Sequence, residues 1–184
     1  NSALHLRDLV NSILDFARIN AGRVDAEFSQ VHVNALAREV CSTFRQQAEE
    51  KGIYLKMTSM IDDKALIISD QMKLRQILSN LVLNAIRYTD SGGVDIEVGA
   101  ADDKLLIQVR DSGIGIPESD WTAIFESFRG VEDEMHRSRQ GAGLGLALVK
   151  EMTSLIQGEI SVNSNLGSGT VFTLSLPFAE RAIS

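Results

Sequence analysis

This 184-residue chain has one cysteine and three histidines, and its basic side chains are outnumbered. A lone cysteine, Cys41, closes no internal disulfide, so the chain reads as a reduced, cytoplasmic one. Three histidines argue against a dense metal site. Eighteen Lys and Arg against twenty-five Asp and Glu give a net charge of -7 with no basic cluster, which counts against a nucleic-acid partner. No apolar run approaches the roughly 20 residues of a membrane-spanning helix, and the N-terminus lacks a signal-peptide core, although an anchor outside this chain stays compatible with it. No lysine follows a glycine as a P-loop requires, and no G-x-G-x-x-G opens a helix after the first strand. There is no internal repeat. The 44% hydrophobic and 23% charged residues exclude disorder and suffice for one domain with a core and a little extra.

Apolar residues between Ala3 and Ile19 (Leu6, Leu9, Val10, Ile13, Leu14, Phe16, Ala17) recur at three- and four-residue steps, the signature of a helix with one apolar stripe that ends at Ala21-Gly22. Val24 to Val33 reads as a short connection leading into a strand, followed by a second helix for which Asn34 is the expected N-cap and Lys51-Gly52 the stop. Strands are expected over Ile53 to Met60 and Ala65 to Ile68, then a third helix capped by Asp70. Two hairpins, one across Ala101 to Lys104 and one across Asn165 to Gly169, flank a short helix from Pro117 to Phe125, a polar loop from Gly130 to Ala142 long enough for a lid, and a helix from Leu144 to Ile156. This order predicts an α+β two-layer sandwich, a mixed sheet with helices on one face plus one N-terminal helix.

Four features bear on chemistry. Asn80 and Asn84 share one face of the third helix, with Arg87 and Tyr88 after them; alone the pair is better explained by helix capping or a core hydrogen-bond network than by a ligand site. Asp111-Ser112-Gly113-Ile114-Gly115-Ile116-Pro117 follows an apolar strand. It is a tight turn, and its carboxylate in an apolar cleft would also suit the exocyclic amine of adenine and discriminate against guanine. Gln140-Gly141-Ala142-Gly143-Leu144-Gly145-Leu146 leaves backbone N–H groups free at a helix N-terminus, where phosphate is favoured, or serves as a plain hinge. Gly167-Ser168-Gly169-Thr170-Val171-Phe172 turns the last hairpin.

Taken in order, the Asn-rich helix, D-x-G-x-G-I-P, Ile124-Phe125-Glu126-Ser127-Phe128, G-x-G-L-G-L and G-S-G-T-x-F closely resemble the ATP-binding catalytic domain of sensor histidine kinases, from about Val31 to Phe178. That family shares the Bergerat ATP-binding fold with DNA gyrase, the heat-shock ninety chaperones and the mismatch-repair ATPases. The resemblance implies that Asn84, with Asn80 beside it, binds Mg²⁺, that Arg87 faces the phosphates, and that Tyr88 and Ile116 line the nucleotide pocket. It implies that Asp111 reads adenine, that Gly113 and Gly115 permit the approach, and that Gly141, Gly143 and Gly145 cradle phosphates while Leu144 and Leu146 anchor that backbone. Thr170 joins the nucleotide-binding set, and Arg137 and Gln140 match lid positions that reach the γ-phosphate. Phe125 and Phe128 read as core packing. Hydrolytic relatives carry a glutamate where Asn80 stands; a carboxamide cannot take a proton from water, so the site should hold ATP for an acceptor other than water.

The family's phosphoacceptor histidine has no counterpart here. His5, His32 and His136 lack its context, whereas Leu14-Asp15-Phe16-Ala17-Arg18 resembles the second helix of the dimerisation hairpin. Residues 1–22 are therefore expected to be that helix, residues 23–184 the catalytic domain, and the chain a fragment. The implied activity is transfer of the γ-phosphate of ATP to a histidine outside the chain, then relay to an aspartate of a response-regulator receiver domain. The expected partners are the protein's own acceptor helices and that receiver, in a protein that is a homodimer when complete and cytoplasmic or the cytoplasmic part of a receptor. A nucleotide-sensing scaffold without transfer stays open, as does an interaction domain that no longer binds ATP; ATP binding separates the second, and labelling of a supplied acceptor helix the first.

Overall fold

The computed structural model describes residues 10, 14, 17–19, 21, 24–126 and 144–178. Two short strands, β1 (Ser29–His32) and β3 (Leu66–Ser69), pair antiparallel with each other in a sheet of their own. The main sheet has five strands: β2 (Tyr54–Ser59), β4 (Gly93–Ala101), β5 (Lys104–Asp111), β6 (Glu159–Asn165) and β7 (Gly169–Pro177), in the order β2-β4-β5-β7-β6. The β2–β4 pair is parallel and the others antiparallel, which makes the expected mixed sheet. Among the described residues, three helices with full bounds pack on this sheet: α1 (Val33–Glu50), α2 (Gln71–Tyr88) and α3 (Gly145–Leu155).

Alternation along the strands separates the two faces of the sheet. Val94, Ile96 and Val98 of β4, Leu105, Ile107 and Val109 of β5, and Phe172, Leu174 and Leu176 of β7 are buried, as are Leu36, Ala37 and Val40 of α1, Leu74, Leu78 and Leu81 of α2, and Leu148 and Met152 of α3. Polar residues such as Asp95, Glu97, Gln108 and Arg110 alternate with the buried ones, so one face stays wet while the other carries the helices. Each fully buried leucine, Leu78 for instance, contributes about 1.5–3 kcal/mol by leaving water. The sandwich with helices on one face is thus the observed architecture. Among the described residues, no helix is long and apolar enough to cross a membrane.

Three local expectations need correction. Asn34 does not cap α1: the cap position is His32, without a side-chain hydrogen bond, and Asn34 Nδ2 instead donates to the carbonyl of Asp62 at 3.0 Å and to Asp63 Oδ1 at 3.3 Å, tying α1 to the loop before β3. The segment after Pro117 is two 3-10 turns, Glu118–Asp120 and Ala123–Phe125, rather than one helix. The β4–β5 turn is tighter than four residues, because Asp102 and Asp103 both adopt positive φ (51° and 58°), the geometry that matches strand twist in a two-residue hairpin. Asp70 does cap α2, its Oδ1 accepting from the backbone N–H of Lys73 at 2.9 Å. Of the leading helix, residues 10, 14 and 17–19 are helical, and Ile19 packs against the domain core.

Candidate functional site

The site is organised along α2, whose buried stripe fixes the helix against the sheet and leaves Asn80, Asn84, Arg87 and Tyr88 half-buried along its flank. At the middle of α2 stands the first turn of α3. A Cβ placed on Gly145 would lie 3.7 Å from Asn80 Oδ1 and 4.0 Å from Asn84 Nδ2, so the N-terminus of α3 faces both carboxamides. Leu144, buried at 1% exposure, and half-buried Leu146 hold this terminus to the protein interior. N-terminal helix N–H groups and two carboxamides together make a polar recess suited to anionic oxygens.

The C-terminal end of α2 meets the turn after β5. Ile114 N–H donates to the carbonyl of Tyr88 at 3.3 Å, and a Cβ on Gly113 would stand 2.5 Å from that same carbonyl, so any larger residue would push the turn off the helix. Gly115 has φ +74° and its missing Cβ would strike the Asn165 carbonyl. Lys51, at the end of α1, donates to the carbonyls of Ile86 and Arg87 at 2.6 and 2.8 Å, satisfying acceptors that a helix end leaves open.

Asp111 ends β5 on the helix-bearing face, 8% exposed. Its Oδ1 accepts from the backbone N–H of Gly113 at 2.8 Å and of Thr170 at 3.2 Å, while its second oxygen accepts nothing among the described residues. Burial pushes its pKa above the ordinary 3.8, and the two backbone hydrogen bonds only partly offset this. The group is poorly solvated and has one oxygen left open among the described residues, a suitable partner for an amine donor.

Ser164, which the sequence reading passed over, joins two of the motifs, the turn after β5 and the last hairpin turn. Its hydroxyl donates to the Gly169 carbonyl at 2.8 Å and accepts from Ile116 N–H at 2.8 Å, which leaves Thr170 Oγ1, 2.9 Å away, to donate to it. The available signal was a polar residue on the inward alternation of β6, after Ile160 and Val162. Ile116 is half-buried and its carbonyl accepts from Trp121 Nε1 at 3.2 Å. Phe125 packs edge-on against Phe172, with ring centroids 6.2 Å apart, in the core role expected of it. Arg137, Gln140, Gly141, Gly143 and Phe128, and the suspected lid from Gly130 to Ala142, lie outside the described residues.

Two clefts among the described residues stand apart from Asn80, Asn84 and Gly145. One of about 250 Å³, lined by Tyr54, Asp95, Arg110 and Asn163 on the wet face of the sheet, also reaches Asp111, Ser164 and Thr170, and one of about 490 Å³ sits between α1 and β2 beside Arg38 and Cys41. Neither is lined by Asn80, Asn84 or Gly145. The recess along α2 has what neither cleft has, N–H groups at a helix start facing the carboxamides of Asn80 and Asn84, whereas Asp111 borders the wet-face cleft as well.

Residues 69–180 match the family model described as histidine kinase-, DNA gyrase B- and HSP90-like ATPase. Autoinducer 2 sensor kinase/phosphatase LuxQ of Vibrio cholerae is 36% identical over 181 residues, covering 96% of this chain and 21% of LuxQ. The chain thus spans about a fifth of the length of that curated relative. Among solved structures, full-length ShkA in complex with AMPPNP superposes with a TM-score of 0.84 at 34% identity, over 97% of this chain and 37% of ShkA. Histidine kinase ThkA in complex with the response regulator TrrA gives 0.77 at 27% identity, over 98% of this chain and 50% of that one.

Proposed function

Since the chain belongs to the family of histidine kinase-, DNA gyrase B- and HSP90-like ATPases, and its relatives are sensor histidine kinases, we propose that it binds ATP along α2 and presents the γ-phosphate to a histidine carried outside these residues. The observation that carries this reading is the convergence on one helix of a phosphate-type recess and an adenine-type acid. Asn84 and Tyr88 are one turn apart, roughly 6 Å along the axis. Ligand phosphates at the start of α3 and a base at Asp111 would therefore be served from neighbouring turns of one rigid element.

Asp111 accepts the adenine amine at its free oxygen, Gly113 and Gly115 let the base approach the turn, and Ile116 and Tyr88 supply apolar walls. Gly145 and the N–H groups of the first turn of α3 hold phosphate oxygens, with Arg87 on the flank of α2 for charge. Thr170 and Ser164 fix the floor beneath Asp111. Asn80 offers no base to a water molecule, so the bound γ-phosphate awaits a better nucleophile, an imidazole nitrogen in line with the leaving oxygen. Catalysis is then positioning and charge neutralisation, with the acceptor's own base supplied from outside.

Mg²⁺ fits this donor set. The neutral carboxamide of Asn84, with Asn80 beside it, suits a hard ion that keeps water and phosphate oxygens as most of its ligands, and no cluster of three or more His, Cys, Asp or Glu side chains is present among the described residues. When bound, the ion would neutralise phosphate charge. In the same reading residues 1–22 are the second helix of a dimerisation hairpin, residues 23–184 the catalytic domain, and the receiver domain of a response regulator the downstream partner, as ThkA is found with TrrA.

Calorimetric titration of the chain with ATP, with and without Mg²⁺, and with GTP tests the core of this. Saturable binding that prefers ATP is the expected result. A folded chain that ignores millimolar ATP would remove the kinase reading.

A further inference from the structure

The start of α2 holds a charged cluster that the nucleotide site does not use. Asp70 is 3% exposed, and its side chain does more than cap the helix: Oδ2 accepts from the backbone N–H of Glu27 at 2.9 Å and from Lys73 Nζ at 2.7 Å. The same Lys73 ammonium donates to the backbone carbonyl of Asp25 at 2.8 Å. Asp70 and Lys73 side chains are 5% and 13% exposed, so water competes weakly for these bonds. Burial alone would raise the pKa of Asp70; the hydrogen bonds from Lys73 and Glu27 and the lysine charge overcome it and leave the group below the ordinary 3.8.

Both clamped groups belong to the backbone of residues 25–27, the segment that joins the leading helix to β1. A cap needs only one oxygen of Asp70. The second oxygen and the lysine are spent on a strand of chain with no regular structure, whose own side chains Asp25 and Glu27 are exposed. On the other side of the segment Ile19 packs against the core. The connection is thus held at two points a few residues apart, and one of them is the first turn of the helix that carries Asn80 and Asn84.

We infer that Asp70 and Lys73 form a latch that fixes the connecting segment, and so the direction in which the leading helix leaves the domain, to the Asn-bearing helix. Lys73 is a positioning residue: it sets how the ATP-holding domain is presented to the acceptor and takes no part in holding ATP. This deepens the kinase reading and rests on it, because presentation matters only if the γ-phosphate is delivered to a separate segment.

The test has two arms. In this chain, Lys73→Met should speed hydrogen exchange at the Glu27 amide about tenfold while amides in the middle of α2 keep their protection. Asp70→Asn, which retains a capping oxygen for Lys73 N–H, should do the same. In the kinase that carries both this chain and its acceptor histidine, Lys73→Met should lower kcat for histidine phosphorylation about tenfold with KM for ATP unchanged, and Lys73→Arg should restore most of it. Unchanged exchange at Glu27 overturns the latch, and an unchanged kcat, or a loss confined to KM, overturns its positioning role. Wild-type protein that binds no ATP would instead sink the kinase reading, and the exchange arm would still decide the latch.

Discussion

Asp111 Oδ1 accepts a hydrogen bond from the backbone N–H of Thr170 at 3.2 Å, across the β5–β7 ladder, and this bond turns the carboxylate so that its other oxygen is left for a ligand. Asp111→Asn can keep the Oδ1 acceptor and replaces the free oxygen with a donor. Facing the adenine amine, that donor would lose a charge-assisted hydrogen bond and add a clash of like groups, about 1.5–3 kcal/mol. ATP affinity should fall at least tenfold by calorimetry, with far-ultraviolet circular dichroism unchanged. Full affinity in a folded variant would show that Asp111 does not read the base.

The two buried aspartates should titrate on opposite sides of 3.8, their ordinary value. Burial raises Asp111, so its charge costs stability above its folded pKa, and that cost is relieved as pH falls through the folded value toward 3.8. Asp70 is lowered, so its contribution is present above 3.8 and lost only as pH falls below that through its folded pKa. Carboxyl carbon shifts measured by NMR through an acid titration should place the Asp111 midpoint above 3.8 and the Asp70 midpoint below it. Saturating ATP should move Asp111 downward, since an amine donor favours the charged form. A midpoint for Asp111 that ignores ATP would argue against contact.

Periodicity in the sequence revealed the helices and hairpins because each is a local pattern: Leu74, Ile77, Leu78 and Leu81 trace one stripe, and Val94 to Val98 alternate. The parallel pairing of β2 with β4 and the separate β1–β3 sheet were not legible, since they join segments tens of residues apart that carry no marker of each other. Within the site, the glycine turns and Asp111 stand out because their chemistry is unusual for their positions. Ser164 and Lys51 act through backbone groups of distant elements, a role that any serine or lysine could fill and that only the fold reveals. Asn34 illustrates the reverse error: its type suits a cap, but tertiary contact with the loop at 61–63 takes its side chain.

Lys51 bridges the ends of α1 and α2, and its bonds to the carbonyls of Ile86 and Arg87 hold the helix end that Gly113 and Ile114 pack on. Lys51→Met keeps the alkyl stem and removes the donor. The half-exposed setting limits the loss to about 1 kcal/mol of unfolding free energy in urea. ATP affinity should weaken too, because Arg87 and Tyr88 sit on the loosened turn. Unchanged stability would mean that water caps this end equally well.

Gly145 offers a substitution whose effects on stability and on binding should have opposite signs. Its φ is not in the left-handed region, and a Cβ there would meet Asn80 and Asn84 only at ordinary contact distance, 3.7 and 4.0 Å, so alanine fits the free protein. Removing glycine's backbone freedom from the unfolded chain should stabilise the fold by about 0.4–1 kcal/mol. The same methyl group, however, projects into the space between α3 and the two carboxamides where phosphate oxygens are proposed to sit. Losing one charge-assisted hydrogen bond there costs about 1.5 kcal/mol, close to tenfold in Kd. Gly145→Ala should therefore unfold at higher urea and bind ATP about tenfold more weakly. Adenosine, which has no phosphate, should bind the variant and the wild type alike. If adenosine is weakened as much as ATP, the methyl group disturbs the whole pocket and the phosphate assignment of the α3 N-terminus fails.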